Sequence, residues 1–337
     1  MKLHLDKDAF GVLLEDIHSR TGYRTDVLEK DYYVVLILSE LAEMQKDGLP
    51  AYFKGGTALY KALKTTNRFS EDIDLSVDTR NCSRSQSVKR LERATKKYVS
   101  LPRDPEQGRT NRSEVISVYT YDPATAYALK CLVWKLCLYV KIEATSFTIS
   151  EPVDTLEVSA MLYDLATEEQ RRILETVYEV SPFNIQTITM ERIFVDKLFA
   201  AEAYVRKSSV EHRAFEAAKH IYDLAVLSHN PKIELLMADP AQMEHLLDIR
   251  LEEESGRLDG IPGVAPSEFT FFQSAKDNAD VQRAYETMQN QYVLREQDRI
   301  AFSYATQELL LIEQKLLKNP AWTERTVSSQ KAAEDEQ

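Results

Sequence analysis

The sequence predicts an α+β protein: a mixed α/β half built on a mixed sheet, followed by a mostly helical half. Three observations carry this. Ile73, Leu75 and Val77 alternate with polar residues, the period of a strand with one buried face. Leu28, Tyr32, Val35 and Leu38 recur at helical spacing. From about residue 164 the helical pattern runs nearly to the end. The boundary falls near 164–186, which makes residues 1–165 the first domain and 166–322 the second; the polar, acidic stretch 323–337 reads as a disordered tail.

In chain order, residues 5–48 read as helical. Ala51–Phe53 lead into a glycine pair, and Thr57–Leu63 form a short helix. The DIDLSV stretch is a strand. Residues 85–99 make an amphipathic helix, and 101–113, rich in Pro, Arg and Asp, a loop. Val115–Tyr121, Leu138–Ile149 and Thr155–Leu162 are further strands. A loop with Gly256, Gly260, Pro262, Gly263 and Pro266 interrupts the helical half. There is no internal repeat.

Composition narrows the function classes. Among 337 residues, 42 Lys and Arg face 54 Asp and Glu, a net charge of −12. A surface built wholly for nucleic acid is excluded, although a local basic patch is not. Cys82, Cys131 and Cys137 are odd in number and form no CxxC, which argues against a disulfide framework or zinc site and fits a reducing cytosol. The N-terminus MKLHLDKDAF lacks the apolar core of a signal peptide. The most apolar stretch, ALKCLVWKLCLYVKI, is broken by Lys130, Lys135 and Lys141 and is too short to span a bilayer. A cytoplasmic protein with no membrane partner is expected.

The stretch FKGGTALYKALKTTNRFSEDIDLSVD carries the chemistry. The chain has nine glycines, and two, Gly55 and Gly56, stand side by side. Such a pair lets the backbone turn sharply and approach a ligand, and its N–H groups at a helix start make a seat for phosphate oxygens. Thr57 can cap that helix or donate its hydroxyl to a phosphate. On the strand that follows, Asp72 and Asp74 aim to one face, roughly 7 Å apart from the rise per residue. Two carboxylates so placed repel unless a cation lies between them, and hard oxygen donors favour Mg2+ or Mn2+. A phosphate seat beside a divalent-metal seat is the minimal equipment for phosphoryl or nucleotidyl transfer. Taken singly, the glycines read as a turn and the aspartates as a solvated strand; their joint occurrence, in this order, favours the site.

The order GG[ST]-x-[AL] then DxD resembles the nucleotidyltransferase fold of the DNA polymerase β type. The longer string FKGGTAL…NRFSEDIDL is similar to the AbiEii/AbiGii toxin family within it. LEKDYYVVLILSEL resembles that family's EKDY segment, and MERIFVDKLFAA and AAKHIYDLAVL its lysine-helix and aspartate-helix motifs. The likeness covers roughly residues 25–230. His220 departs from it, standing where an aspartate is expected three residues before Asp223.

The resemblance implies an NTP substrate and attack of an acceptor hydroxyl on its α-phosphate, with the site in the cleft between the two domains. It implies a third carboxylate on a neighbouring strand. YVKIEATSF offers Glu143, which shares a face with Lys141; the other reading is an exposed strand glutamate. Asp72, Asp74 and Glu143 would hold the metal. Gly55, Gly56, Thr57 and Lys197 would hold the triphosphate. Lys197 flanks a helix's buried face, so it either neutralises phosphate charge or snorkels over the core. Asp223, set among Ile221, Leu224 and Ala225, needs a partner there; it orients Lys197, contacts nucleotide, or pairs structurally. Arg68 reaches a phosphate or pairs with Glu71 or Asp72, and Ser70 contacts phosphate or metal or shapes the turn. Lys54 is a weaker phosphate candidate. Lys30 and Asp31 fit the family pattern without assigned chemistry.

The resemblance further implies a toxin of a bacterial toxin–antitoxin or phage-defence pair, with the tRNA 3′ end as acceptor and a cognate antitoxin encoded nearby. A small-molecule or protein acceptor, or a catalytically silent nucleotide binder, are the alternatives; the intact DxD argues against the last. In RSQSVKRLERATKKYV, Lys89, Arg93, Lys96 and Lys97 share one helix face, either solvated or laid against an RNA backbone.

Overall fold

Asp6 opens the first long helix. Its carboxylate accepts the Ala9 N–H at 3.1 Å, and Lys7–Thr21 (α1) runs to Gly22, whose φ of +77° stops it. The predicted helix 5–48 is therefore two, with Thr25–Lys46 (α2) as the second. The computed structural model describes residues 1–124, 138–255 and 265–325. Every residue of α2 from Thr25 to Leu38 is buried, the mark of a helix packed on all sides. Its buried charges are all partnered; Glu29, for example, accepts the Ala124 N–H at 2.6 Å.

Among the described residues, seven strands form one mixed sheet. They are Ala51–Lys54 (β1), Ile73–Val77 (β2), Arg103–Thr110 (β3), Glu114–Thr120 (β4), Tyr139–Thr145 (β5), Val153–Val158 (β6) and Phe183–Ile188 (β7). The order is β3-β4-β5-β2-β1-β7-β6. β2 runs parallel to β5 and β1 parallel to β7, while the other pairs are antiparallel. Phe53, Leu75, Ala144 and Val115 lie side by side across four strands and are fully buried, so one face of the sheet is core. Gly55–Lys61 (α3) follows β1 directly, and Arg84–Lys96 (α4) starts on a Ser83–Gln86 capping box.

Two strands are new relative to the sequence reading, and a third is shorter at its end. The expected loop 101–113 contains β3. It is an edge strand, mostly exposed on both faces and bulged between Asp104 and Arg109, so it has no alternating pattern to read. β7 lies where continuous helix was expected. It is six residues long, and what makes it a strand is pairing with β6 and with Phe53 of the distant β1. The strand expected over Thr155–Leu162 ends at Val158, and Met161–Asp164 is helical (α5), followed by Glu168–Thr176 (α6).

The chain divides into two compact units: residues 1–63 with 70–188, and 64–69 with 189–337. The division follows Ile188 rather than residue 165 because β7 belongs to the sheet. The second unit is helical: Met190–Arg206 (α7), Glu211–Leu227 (α8), Pro231–Ala238 (α9), Pro240–Ser255 (α10), Phe271–Ser274 (α11), Ala279–Tyr292 (α12), Phe302–Leu316 (α13) and Pro320–Glu324 (α14). α8 packs against α7, α12 and α13. Lys64–Phe69 is its one segment from the first half of the chain, held where the Phe69 N–H donates to the Tyr292 carbonyl at 2.7 Å. Cys131, Cys137, the glycines of the predicted loop and residues 326–337 lie outside the described residues. Among the described residues no helix is long and apolar enough to cross a membrane.

Candidate active site

The site is built from the sheet face opposite the core. Lys54 stands in register with Asp74, and Asp74 with Glu143 on the parallel neighbour, so the three share one cross-strand row. Asp72 precedes β2 by one residue, and its side chain is 44% exposed. The sequence-predicted carboxylates Asp72, Asp74 and Glu143 are thus brought together. Burial first, then the Glu143 and Asp72 carboxylates, push the Asp74 carboxyl up to about 7, against the pull of Lys54 and Lys141.

The glycine pair explains itself here. Gly55 has φ +80°, and a Cβ on it would collide with Oδ2 of Asp74. The turn therefore brings bare backbone against the half-buried carboxylate. Thr57 is not the helix cap; Lys54 holds that position, without a side-chain cap. The buried Thr57 hydroxyl instead donates to the Asp72 carbonyl and lies 2.9 Å from Ser70 Oγ. Both hydroxyls pin the loop that delivers Asp72.

Lys141, on β5 two residues before Glu143, reaches Asp72 Oδ2 at 3.0 Å and Glu143 Oε2 at 3.7 Å. Burial alone would lower its ammonium, but Asp72, Glu143 and Asp74 together raise it. Lys54 turns elsewhere, to the hydroxyls of Thr145 at 3.2 Å and Thr148 at 3.4 Å. The sequence showed Lys141 only as a face-mate of Glu143; its partner Asp72 lies across the sheet and was not readable locally.

Asp72, Asp74 and Glu143 offer hard oxygens that suit Mg2+ or Mn2+. The structural sign of fit is that Asp72 Oδ2 and Glu143 Oε2 already face one cation together, the Lys141 ammonium at 3.0 and 3.7 Å. As the side chains stand, no three His, Cys, Asp or Glu among the described residues converge closely enough to hold an ion.

Lys30 and Asp31 gain a structural account. Lys30 Nζ lies 3.1 Å from Glu71 Oε2 and donates to the Tyr139 carbonyl at the start of β5. Asp31 accepts Lys61 Nζ at 2.7 Å and the Met161 N–H at 2.6 Å. Neighbouring residues of α2 thereby brace the segments carrying Asp72, Glu143 and the glycine turn.

The second unit holds a separate buried cluster. Asp223 accepts Arg68 Nη2 at 2.7 Å, Arg68 Nε at 3.1 Å and Lys197 Nζ at 2.6 Å. Burial would raise the Asp223 carboxyl, but Arg68 and Lys197 outweigh it and hold it well below the ordinary carboxylate range. Arg68 pairs with Asp223 and not with Glu71 or Asp72, because Lys64–Phe69 goes with this unit. His220, one turn before Asp223, stacks on Tyr204 with ring centroids 5.4 Å apart, and its buried Nδ1 has no hydrogen-bond partner. Burial, and then Lys197 and Arg68, push its imidazole well below the ordinary value, so it is neutral.

On α4, Lys89 and Arg93 are exposed, as is Lys97 just past its end, while Leu91 and the following Tyr98 are buried. Lys96 bonds Glu92 at 2.8 Å, which weakens the stripe by one charge.

The protein family described as "Nucleotidyl transferase AbiEii toxin, Type IV TA system" matches residues 36–310. No curated protein matches the chain. Among solved structures, JHP933 from Helicobacter pylori is 16% identical over 86% of this chain and 94% of its own, with a TM-score of 0.43. MenT4, a nucleotidyltransferase toxin from Mycobacterium tuberculosis H37Rv, is 14% identical over 90% of this chain and 98% of its own, with a TM-score of 0.38.

Proposed function

The chain belongs to the AbiEii nucleotidyltransferase toxin family of type IV toxin–antitoxin systems, and from that premise we propose that it transfers a nucleoside monophosphate from an NTP to the 3′ hydroxyl of a tRNA. The observation that carries this reading is the row Lys54–Asp74–Glu143 with Asp72 beside it, backed by a left-handed glycine turn.

The acceptor oxygen forms a bond to the α-phosphorus, the bond from that phosphorus to the bridging oxygen breaks, and pyrophosphate leaves. Glu143 receives the hydroxyl proton. Gly55 and Gly56 present backbone to the polyphosphate; the first-turn N–H groups of α3 have no partner within the helix. Asp72, Asp74 and Glu143 would hold Mg2+ or Mn2+, which supplies charge neutralisation at the phosphates. Lys197, the phosphate cation that the resemblance implies, is buried in the helical unit, where Asp223 with Arg68 beside it fixes the direction of its ammonium. The exposed cations of α4 gather the RNA backbone despite the acidic whole. Such a toxin acts in the cytoplasm, is held in check by a cognate antitoxin and serves phage defence.

Incubation with each labelled NTP and total cellular RNA tests the reading. Label is expected on RNA of tRNA size, at the 3′ end, and lost in Asp74→Ala. Label on a small molecule or on protein replaces the acceptor. Nucleotide binding without any transfer makes the chain a silent member.

A further inference from the structure

The geometry points to Lys141 as a built-in counter-cation that occupies the carboxylate site at rest, is displaced when a divalent cation binds, and then serves the polyphosphate of the incoming nucleotide. This rests on the metal-dependent reading above. Two lysines share the carboxylate face, and they behave differently. Lys54 is tethered to the Thr145 and Thr148 hydroxyls. Lys141 spans Asp72 and Glu143, the two carboxylates flanking Asp74. A divalent cation drawing in those same oxygens meets an ammonium already bound to them, so the two compete. The absence of a ready-made ion cage among the described residues agrees with this, since Asp72 is turned to Lys141. Both partners are partly exposed, at 31% for Lys141 and 44% for Asp72, so the ammonium can leave without unfolding anything. Once released it stands beside the glycine turn's carboxylate, where a triphosphate bound with its metal would bring new anionic oxygens.

The proposal predicts two effects of opposite sign in one variant. Lys141→Met should bind Mn2+ about tenfold more tightly than wild type, because its competitor is gone. The same variant should show an NTP KM raised several-fold, because a phosphate contact is lost, and Lys141→Arg should restore both in part. Mn2+ affinity is read by electron paramagnetic resonance without nucleotide, and folding by circular dichroism. Amine acylation followed by mass spectrometry supplies a third readout: Lys141 should react slowly in metal-free wild type and faster once Mn2+ saturates the site. Asp72-dependent Mn2+ binding that is equal in wild type and Lys141→Met, or an acylation rate indifferent to Mn2+, overturns the counter-cation role and leaves the metal site standing. Mn2+ binding that is absent, or unaffected by Asp72→Ala, overturns the metal site and this role with it.

Discussion

Two aspartates, each in its own unit, show opposite solutions to taking a carboxylate out of water. Asp74 is placed beside Glu143 and Asp72, and its carboxyl is pushed up to about 7. Asp223 is placed between Arg68 and Lys197, and its carboxyl is held down. The second arrangement is complete within the chain. The first carries an excess of negative charge that Lys54 and Lys141 only partly offset. A site that leaves like charges unresolved in the folded protein is one that gains when a cationic ligand arrives, whereas a carboxylate already answered by two cations gains nothing from one. The contrast separates a seat for a ligand from a fixed strut, and substitutions on each side can break it.

The largest effect is expected at the exposed carboxylate of the seat. Asp72→Ala should slow transfer by about 10³-fold, several kcal/mol of transition-state stabilisation, while the melting temperature barely changes. Steady-state rates with saturating Mg2+ check this, and near-normal turnover would place the metal elsewhere.

On the strut side the balance reverses. Asp223→Asn leaves two buried cations facing a neutral amide and should cost about 3–5 kcal/mol of stability in urea titrations. Lys197→Ala should slow transfer by about 10²-fold or more and Lys197→Arg should recover only part, because the two cations differ in shape and hydration. An alanine variant with unchanged kinetics would make Lys197 a strut alone.

The two carboxyls should also give opposite pH dependences. Asp74 has its folded value raised from 3.8 to about 7, so the stability it contributes is full below about 4 and is lost as pH rises through 7. Asp223 has its folded value lowered from 3.8, so its contribution is full above that value and is lost as pH falls below it. Metal-free melting curves from pH 4 to 9 should show Asp74→Asn abolishing the decline on the alkaline side and raising stability at pH 8, even as it removes activity. A metal-free Asp74→Asn variant less stable than wild type at pH 8 would contradict the unresolved-charge account.

The smallest effect lies outside both sites. Arg93→Glu with Lys97→Glu should leave stability and NTP use near normal. The slope of RNA affinity against salt should flatten by about 0.9 per lost phosphate contact on duplex and about 0.7 on single strands. Equal slopes for variant and wild type would remove α4 from the RNA interface.

How much of this was legible follows the range of the signal. Gly55, Asp72 and Asp74 could be read because turn, short helix and strand are consecutive, so one short window holds the steric need for glycine and the face shared by the carboxylates. Glu143 needed the family's expectation of a third carboxylate, since nothing local says that β5 lies parallel to β2 with Glu143 level with Asp74. Arg68 was matched to its sequence neighbours Glu71 and Asp72, yet its partner is Asp223, far along the chain, because Lys64–Phe69 goes with the helical unit. β3 and β7 were missed for related reasons: an edge strand exposed on both faces shows no period, and a short strand between helices is made by its partners.

The sequence by itself determined the alternation that makes β2 a strand, the helical spacing of α2, and the glycine that alone tolerates φ +80° against a carboxylate. These are local steric and periodic constraints, carried by residues a few positions apart. Only the tertiary structure decided which charge answers which. Lys141 went to Asp72 and Glu143, Lys54 to two hydroxyls, and Lys197 with Arg68 to Asp223. The physical reason is that a Coulomb interaction depends on distance and desolvation in space, and strand register and helix packing set both without regard to separation along the chain.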